Sequence, residues 1–291
     1  MDQAAPAIRE QTARTRVRKT IPFWKCSVAL NLGVIILAFV FLIGFFPEVL
    51  TRYNPNSHDP EIALQGPSRE HPMGTDNYGR DGLSRIAWGT RVDLQIGIIG
   101  MTIPFITGST IGLLAGYYGG WIDQVLMRVV DVVVAFPFII LVIAIVAVLG
   151  PGIFNLYLAI SLVGWVAFAR LIRGEVLVVK NLDYISAARA LGYSDARIIL
   201  RHVLPNVLGS SVVFAATDVV SCMLAGAAMS FLGLGVQPPT PEWGALISDG
   251  RVFLMRAWWM ASFPGLALAI TGTGFSLLGD GLADLLRTKG R

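Results

Sequence analysis

Charge is what this sequence has least of. Asp, Glu, Lys and Arg make up 14% of its 291 residues while 54% are hydrophobic, whereas a soluble domain carries roughly a quarter charged residues. A soluble fold of this length cannot hide so much apolar surface, which excludes an ordinary globular domain. Histidine and cysteine are also scarce. His58, His71 and His202 form no ligand cluster, and Cys26 and Cys222 lie far apart beside apolar runs, so no metal site or disulfide framework is expected and both cysteines read as packing residues. The chain contains no Gly-x-x-x-x-Gly-Lys-Ser/Thr phosphate loop, no His-Glu-x-x-His pair and no Gly-x-Ser-x-Gly elbow. An ATPase, a zinc protease and a serine hydrolase therefore have no basis in the sequence. The chain is expected to bind no metal or cofactor and not to be catalytic itself. Its formal charge of +4 comes from basic residues flanking apolar runs, which report membrane orientation and lipid contact rather than nucleic acid.

Long apolar runs are what the sequence has instead. A run of about 20 apolar residues crosses a hydrocarbon core about 30 Å thick, and such runs recur at about 26–46, 93–117, 129–149, 154–174, 208–231 and 258–284. The fold class is thus an all-α polytopic membrane protein with about six spans. The first run, Val28 to Phe46, is long enough to be a retained helix and lacks the small-residue cleavage pattern of a secretory signal. Six crossings put both termini on one side, together with all four lysines, Lys19, Lys25, Lys180 and Lys289. By the positive-inside rule that side is the cytoplasm. The organisation expected is a cytoplasmic tail over 1–25, a first helix over 26–46, an irregular extracytoplasmic segment over 47–92, a membrane domain over 93–287 and a short tail over 288–291. Gly100, Gly108, Gly112 and Gly116 give span two a face on which another helix can approach closely. Pro104 and Pro137 should bend their helices, and the three prolines of 237–244 should prevent a helix there.

Two features invite a function. The polar stretch between spans four and five reads as a helix–turn–helix: Asp183 caps a short helix, Gly192 ends it, and Ser194 caps a second running toward Pro205 with Asp195 in its first turn. Tyr184, Ala187, Ala188 and Leu191 share one face. Composition alone leaves open whether this piece rests on lipid headgroups through Arg189, Arg197 and Arg201 or inserts into a groove of another protein. The second feature is Asp218, deep in the run 208–231, where a carboxylate faces either a water-filled pathway or a partner group. Thr217 and Ser221 complete a polar strip with it. A secondary transporter would show several such buried ionisable groups or paired broken helices, and a membrane-embedded enzyme a catalytic constellation. Asp218 alone supports neither alternative.

The loop resembles a known family. Ala187-Ala188, then Gly192, then Leu204-Pro205 match the coupling-loop signature of ABC importer permeases, with Ser186 where that family often has Glu and His202 where it often has Ile. His71-Pro72-Met73-Gly74-Thr75-Asp76-Asn77-Tyr78-Gly79-Arg80-Asp81, Ala115-Gly116-Tyr117-Tyr118-Gly119-Gly120, Arg128-Val129-Val130-Asp131, Phe231-Leu232-Gly233-Leu234-Gly235 and the Pro238 to Gly244 run resemble its dipeptide/oligopeptide/nickel branch, in particular the second permease subunit. The resemblance implies the type I importer permease fold and half of a translocation pathway for peptides or similar solutes. It implies a homologous permease as heterodimer partner, two ATPase subunits carrying ATP and Mg, an extracytoplasmic solute-binding protein, and a place in the bacterial inner membrane. Segment 183–204 would be the coupling element, with Asp183, Ser186, Ala187, Ala188, Leu191, Gly192, Arg197, Arg201, Leu204 and Pro205 as its contact residues.

Overall fold

The structure, a computed structural model, describes residues 28–289, and among these it is helical with no strand. The tail 1–25, Cys26 and the start of the expected first span lie outside the described residues. Helix α1 (Val28–Phe45) is apolar apart from Asn31 and is followed by Pro47, which opens the single turn α2 (Pro47–Leu50) where a missing N–H costs nothing.

Asp81 starts the next helix, α3 (Gly82–Tyr118), by accepting hydrogen bonds from the Ser84 N–H and hydroxyl, both at 2.7 Å. Its 37 residues extend about 55 Å at 1.5 Å per residue, well beyond a hydrocarbon core. It therefore absorbs residues 82–92, which sequence reading assigned to an irregular segment. The polar side chains that concealed this part of the helix, Ser84, Arg85 and Thr90, are buried against the rest of the chain. The expected span 129–149 is also redrawn. It forms α4 (Gly120–Val134) and α5 (Phe138–Leu149), which meet at 84° with Pro137 at the corner. Pro104, by contrast, leaves α3 unbroken, and its ring packs toward Gly164 of α6 (Ile153–Val179).

Beyond α6 come α7 (Asp183–Ala190), α8 (Asp195–Ile198), a π-turn over Ile199–Val203, α9 (Leu204–Phe231), α10 (Trp243–Arg251) and α11 (Trp259–Lys289). The prolines at 238, 239 and 241 lie outside any helix, as expected; α10 begins only after them, at Trp243, and α11 runs past the expected boundary at 287. Among the described residues, five helices, with 195–231 counted as one, are long and apolar enough to cross a membrane, and the bent α4–α5 pair supplies a sixth crossing.

Glycine sets the closest packing. A Cβ on Gly108 would lie 2.1 Å from the Trp165 carbonyl oxygen, and one on Gly112 2.4 Å from that of Ala169. Helices α3 and α6 run parallel in backbone contact because nothing projects between them. Helix α9 runs antiparallel to α6: Phe214 meets Phe168 edge-on with centroids 4.9 Å apart, and Cys222 and Ile160 both approach Gly100. Helix α1 runs antiparallel to α11, with Leu30 against Gly281 and Gly33 against Leu278. One end of the bundle thus gathers the start of α1, the loop between α6 and α9, and the late part of α11, where Leu286 faces Gly209.

The opposite end is a polar lobe. His71 Nδ1 lies 2.9 Å from Asp81 Oδ1, Arg80 Nε donates to Asp76 at 2.5 Å, and the Trp259 indole N–H donates to the Thr75 carbonyl at 3.1 Å. Glu242 caps α10 by accepting from the N–H groups of Gly244 and Ala245, each at 2.8 Å, while Asp93 of α3 accepts from the Trp243 N–H at 3.0 Å. Both carboxylates are fully buried. Burial in this apolar setting pushes the Glu242 carboxyl above its ordinary range, against the pull of the two backbone donors.

Candidate functional site

The helix–turn–helix between α6 and α9 is present, but its details differ from the sequence reading. Asp183 is the first residue of α7 rather than its cap; Leu182 holds the cap position, and no side chain bonds there. Ser194 does occupy the cap of α8, again without a side-chain hydrogen bond. Gly192 has φ +78°, a conformation that strains any residue with a Cβ. The face expected to hold Tyr184, Ala187, Ala188 and Leu191 is divided. Ala188 turns inward with Ile185 and packs on Ile172, Val176 and Val179 of α6. Ser186, Ala187 and Tyr184 remain exposed, and Leu191 is 74% exposed at the tip. Arg197 and Arg201 are also exposed, the former with its guanidinium 5.1 Å from the Tyr193 ring centroid.

Pro205 does not end a second helix. Leu204 and Pro205 are the first two residues of α9, and the Leu204 N–H reaches back to the Ile199 carbonyl across the π-turn. A proline ring inside an α-helix collides with the carbonyl four residues earlier, and the wider turn relieves that collision. Segment 195–231 consequently continues as one helical segment of 37 residues, so α8, the second arm of the loop, and the deep part of α9 lie along one rod.

Sequence reading missed what ties the loop to the bundle. The Tyr117 hydroxyl at the end of α3 donates to Asp195 Oδ1 at 2.6 Å, and the Arg189 guanidinium lies 5.5 Å from the Tyr117 ring centroid. Lys180 donates to the Gly116 carbonyl at 2.7 Å, and Arg173 of α6 binds both oxygens of Asp123 of α4 at 2.5 and 2.6 Å. The tyrosine pair after the α3 glycine stripe was the available signal. Its partner lies 78 residues away, a pairing no local pattern encodes.

A cavity of about 520 Å³ opens between the α4–α5 corner, α6 and α9. Asp218, Ser221 and Cys222 line it from α9, facing Ile160, Gly164 and Arg170 of α6. Thr217, expected on the same strip, is absent from the lining: its hydroxyl donates to the Phe214 carbonyl at 2.8 Å and its methyl faces Gly279 of α11. Asp218 is half-buried and receives a long contact from Cys222 Sγ at 3.8 Å. Arg170 also borders a second cavity of about 350 Å³ with Asp131 and Arg173. Asp131 and Arg128 are both exposed, and no ion pair joins them among the described residues.

Comparison with known proteins places this geometry. A family described as binding-protein-dependent transport system inner membrane component matches residues 108–290. A dipeptide transport system permease protein, DppC, of Alkalihalophilus pseudofirmus is 44% identical over 257 residues, covering 88% of this chain and 84% of its own. A glutathione transport system permease protein, GsiD, of Pectobacterium atrosepticum is 43% identical over 288 residues, covering 98% of this chain and 95% of its own. Among solved structures, the inward-facing MetNI methionine ABC transporter aligns with a TM-score of 0.57 at 18% identity, covering 71% of this chain and 97% of that one.

Proposed function

Since the chain belongs to the inner membrane components of binding-protein-dependent transport systems, we propose that it forms half of a translocation pathway for peptides or peptide-like solutes and is driven through segment 183–204. It is a permease component of an ABC importer of the bacterial inner membrane. In our reading a homologous permease completes the pathway. Two ATP-binding subunits, holding ATP and Mg, dock on the loop, and a solute-binding protein delivers cargo to the polar lobe. The peptide class is taken from the relatives' names, dipeptide and glutathione permeases. The loop end of the bundle would face the cytoplasm, with both termini on that side.

The observation that carries the proposal is the continuity of 195–231. The helical path from Asp195 through the π-turn and Pro205 into α9 is unbroken, which supports passage of a displacement of the loop into α9. Such a displacement arrives at Asp218 and Ser221, about 35 Å along the same rod at 1.5 Å per residue. The exposed Leu191, Tyr184 and Ala187 offer the docking surface, and the buried Ile185 and Ala188 fix its shape against α6. ATP drives import through such a contact only if the contact has different free energies in the inward- and outward-facing states. Leu191→Glu tests this, since it puts a charge on an exposed tip without disturbing the loop's own packing. The complex is expected to assemble in the membrane yet lose uptake, and its ATPase to stop responding to the loaded solute-binding protein. Uptake at the wild-type rate would refute the docking role and favour a loop that rests on lipid.

A further inference from the structure

Two charges of opposite sign face one cavity from two helices, and the coupling role leaves both unused. Asp218 projects from α9 and Arg170 from α6. Among the described residues Arg170 has no hydrogen bond or ion pair, and Asp218 has only the long contact from Cys222 Sγ at 3.8 Å. The helix register fixes their offset along the helix axis. Phe168 stands opposite Phe214, and Ile160 is level with Cys222, so the antiparallel pairing puts Asp218 level with Gly164. Arg170 lies six residues further along α6, an axial offset of about 9 Å at 1.5 Å per residue. Between the two poles the wall is apolar, built from Val163, Val166 and Ala167 of α6 and Val133, Phe136 and Phe138 of the α4–α5 corner.

We propose that Asp218 and Arg170 are the two poles of a subsite for a zwitterionic ligand, a peptide of two or three residues with a free amino and a free carboxyl terminus. An extended chain advances about 3.3–3.6 Å per residue, so two or three residues separate the terminal charges by about 7–10 Å. The ammonium binds the Asp218 carboxylate and the carboxylate binds the Arg170 guanidinium, whose planar fork matches it in a bidentate manner. The apolar stretch between accepts side chains without selecting among them. The two poles read the termini, which every short peptide shares, and leave the sequence unread. Among the described residues no ion pair joins the two charges, so each is available to a ligand. The arrangement also meets the usual condition for a charge within a membrane, that it face a wet cavity.

This subsite rests on the reading of the cavity as pathway, and the test separates the two. The complex that co-purifies with this chain is placed in nanodiscs without solute-binding protein, and binding of labelled trialanine, N-acetyl-trialanine and trialanine amide is measured by equilibrium dialysis. The wild-type complex should prefer trialanine to either blocked form by about tenfold or more, the scale of a lost charge-assisted hydrogen bond. Arg170→Gln should abolish the preference for trialanine over its amide and retain the preference over the acetylated form; Asp218→Asn should do the reverse. Equal weakening of all three ligands, no change in either variant, or no trialanine binding by the wild type would overturn the subsite. Stimulation of the wild-type ATPase by the loaded solute-binding protein is measured in parallel. Its absence would refute the coupled-pathway reading, whereas its presence beside a failed binding pattern would refute the subsite alone.

Discussion

Gly112→Ala adds one methyl group to the tightest seam of the bundle. Its Cβ would lie 2.4 Å from the Ala169 carbonyl oxygen and 3.1 Å from the Ala169 Cα and carbonyl carbon, all of them backbone atoms. No side chain can rotate away, so α3 and α6 must separate by about 1 Å to restore an ordinary van der Waals distance. A radial gap of that size forfeits a quarter to a half of each dispersion contact it opens, and overpacking of this kind costs about 1–3 kcal/mol. The thermal midpoint of the purified complex should fall by several degrees, at about 2–4 °C per kcal/mol for a chain approaching this size. Gly108→Ala should behave alike, since its Cβ would meet the Trp165 carbonyl oxygen at 2.1 Å. Gly174→Ala is the internal control, because nothing lies within 4 Å of its added Cβ. Scanning fluorimetry on the three variants checks the pattern. A Gly112→Ala midpoint within a degree of wild type, or a Gly174→Ala loss as large as the Gly112→Ala loss, would refute the close-packing explanation.

The Glu242 carboxyl titrates above its unfolded range because it is buried, so the fold binds its proton more tightly than the unfolded chain does. Its contribution to stability is present below the ordinary carboxylate value and is lost as pH rises through the folded value; Glu242→Gln should flatten a fall of the thermal midpoint across that interval, and an unaltered profile would count against it. Removing the Tyr117 hydroxyl in Tyr117→Phe takes away the 2.6 Å bond to Asp195. Amide exchange over 183–198 should then rise about tenfold, in keeping with a lost bond to a charged group, and adding Asp195→Asn should change little more if the two act as one unit. Orientation is open to cysteine labelling in a variant whose own two cysteines are replaced. A cysteine at the exposed Ser57 should react with an impermeant reagent in spheroplasts, and one at the exposed Ser194 should not; the reverse pattern would invert the proposed topology.

The fold class and the loop's existence were legible in the sequence because both rest on local quantities. Hydrocarbon thickness fixes the length of an apolar run, and a polar break with glycine and a capping serine marks a turn whatever surrounds it. The glycines of α3 were readable for the same reason: the spacing of small residues is itself the packing surface. Boundaries set by distant partners were not readable. Residues 82–92 look too polar for a membrane helix until Ser84, Arg85 and Thr90 are seen buried, with the segment tied to the lobe and to α10. The inward turn of Ala188 depends on Ile172 and Val176 of α6, and Thr217 leaves the cavity because α11 lies on its side of α9. Asp218 could be singled out from hydropathy alone, since a carboxylate in an apolar run is costly wherever it points. Arg170 could not, because an arginine near the end of a span reads as an interfacial anchor. The antiparallel register of α6 on α9 brings it to the same cavity, about 9 Å along the axis from a carboxylate 48 residues away in the chain.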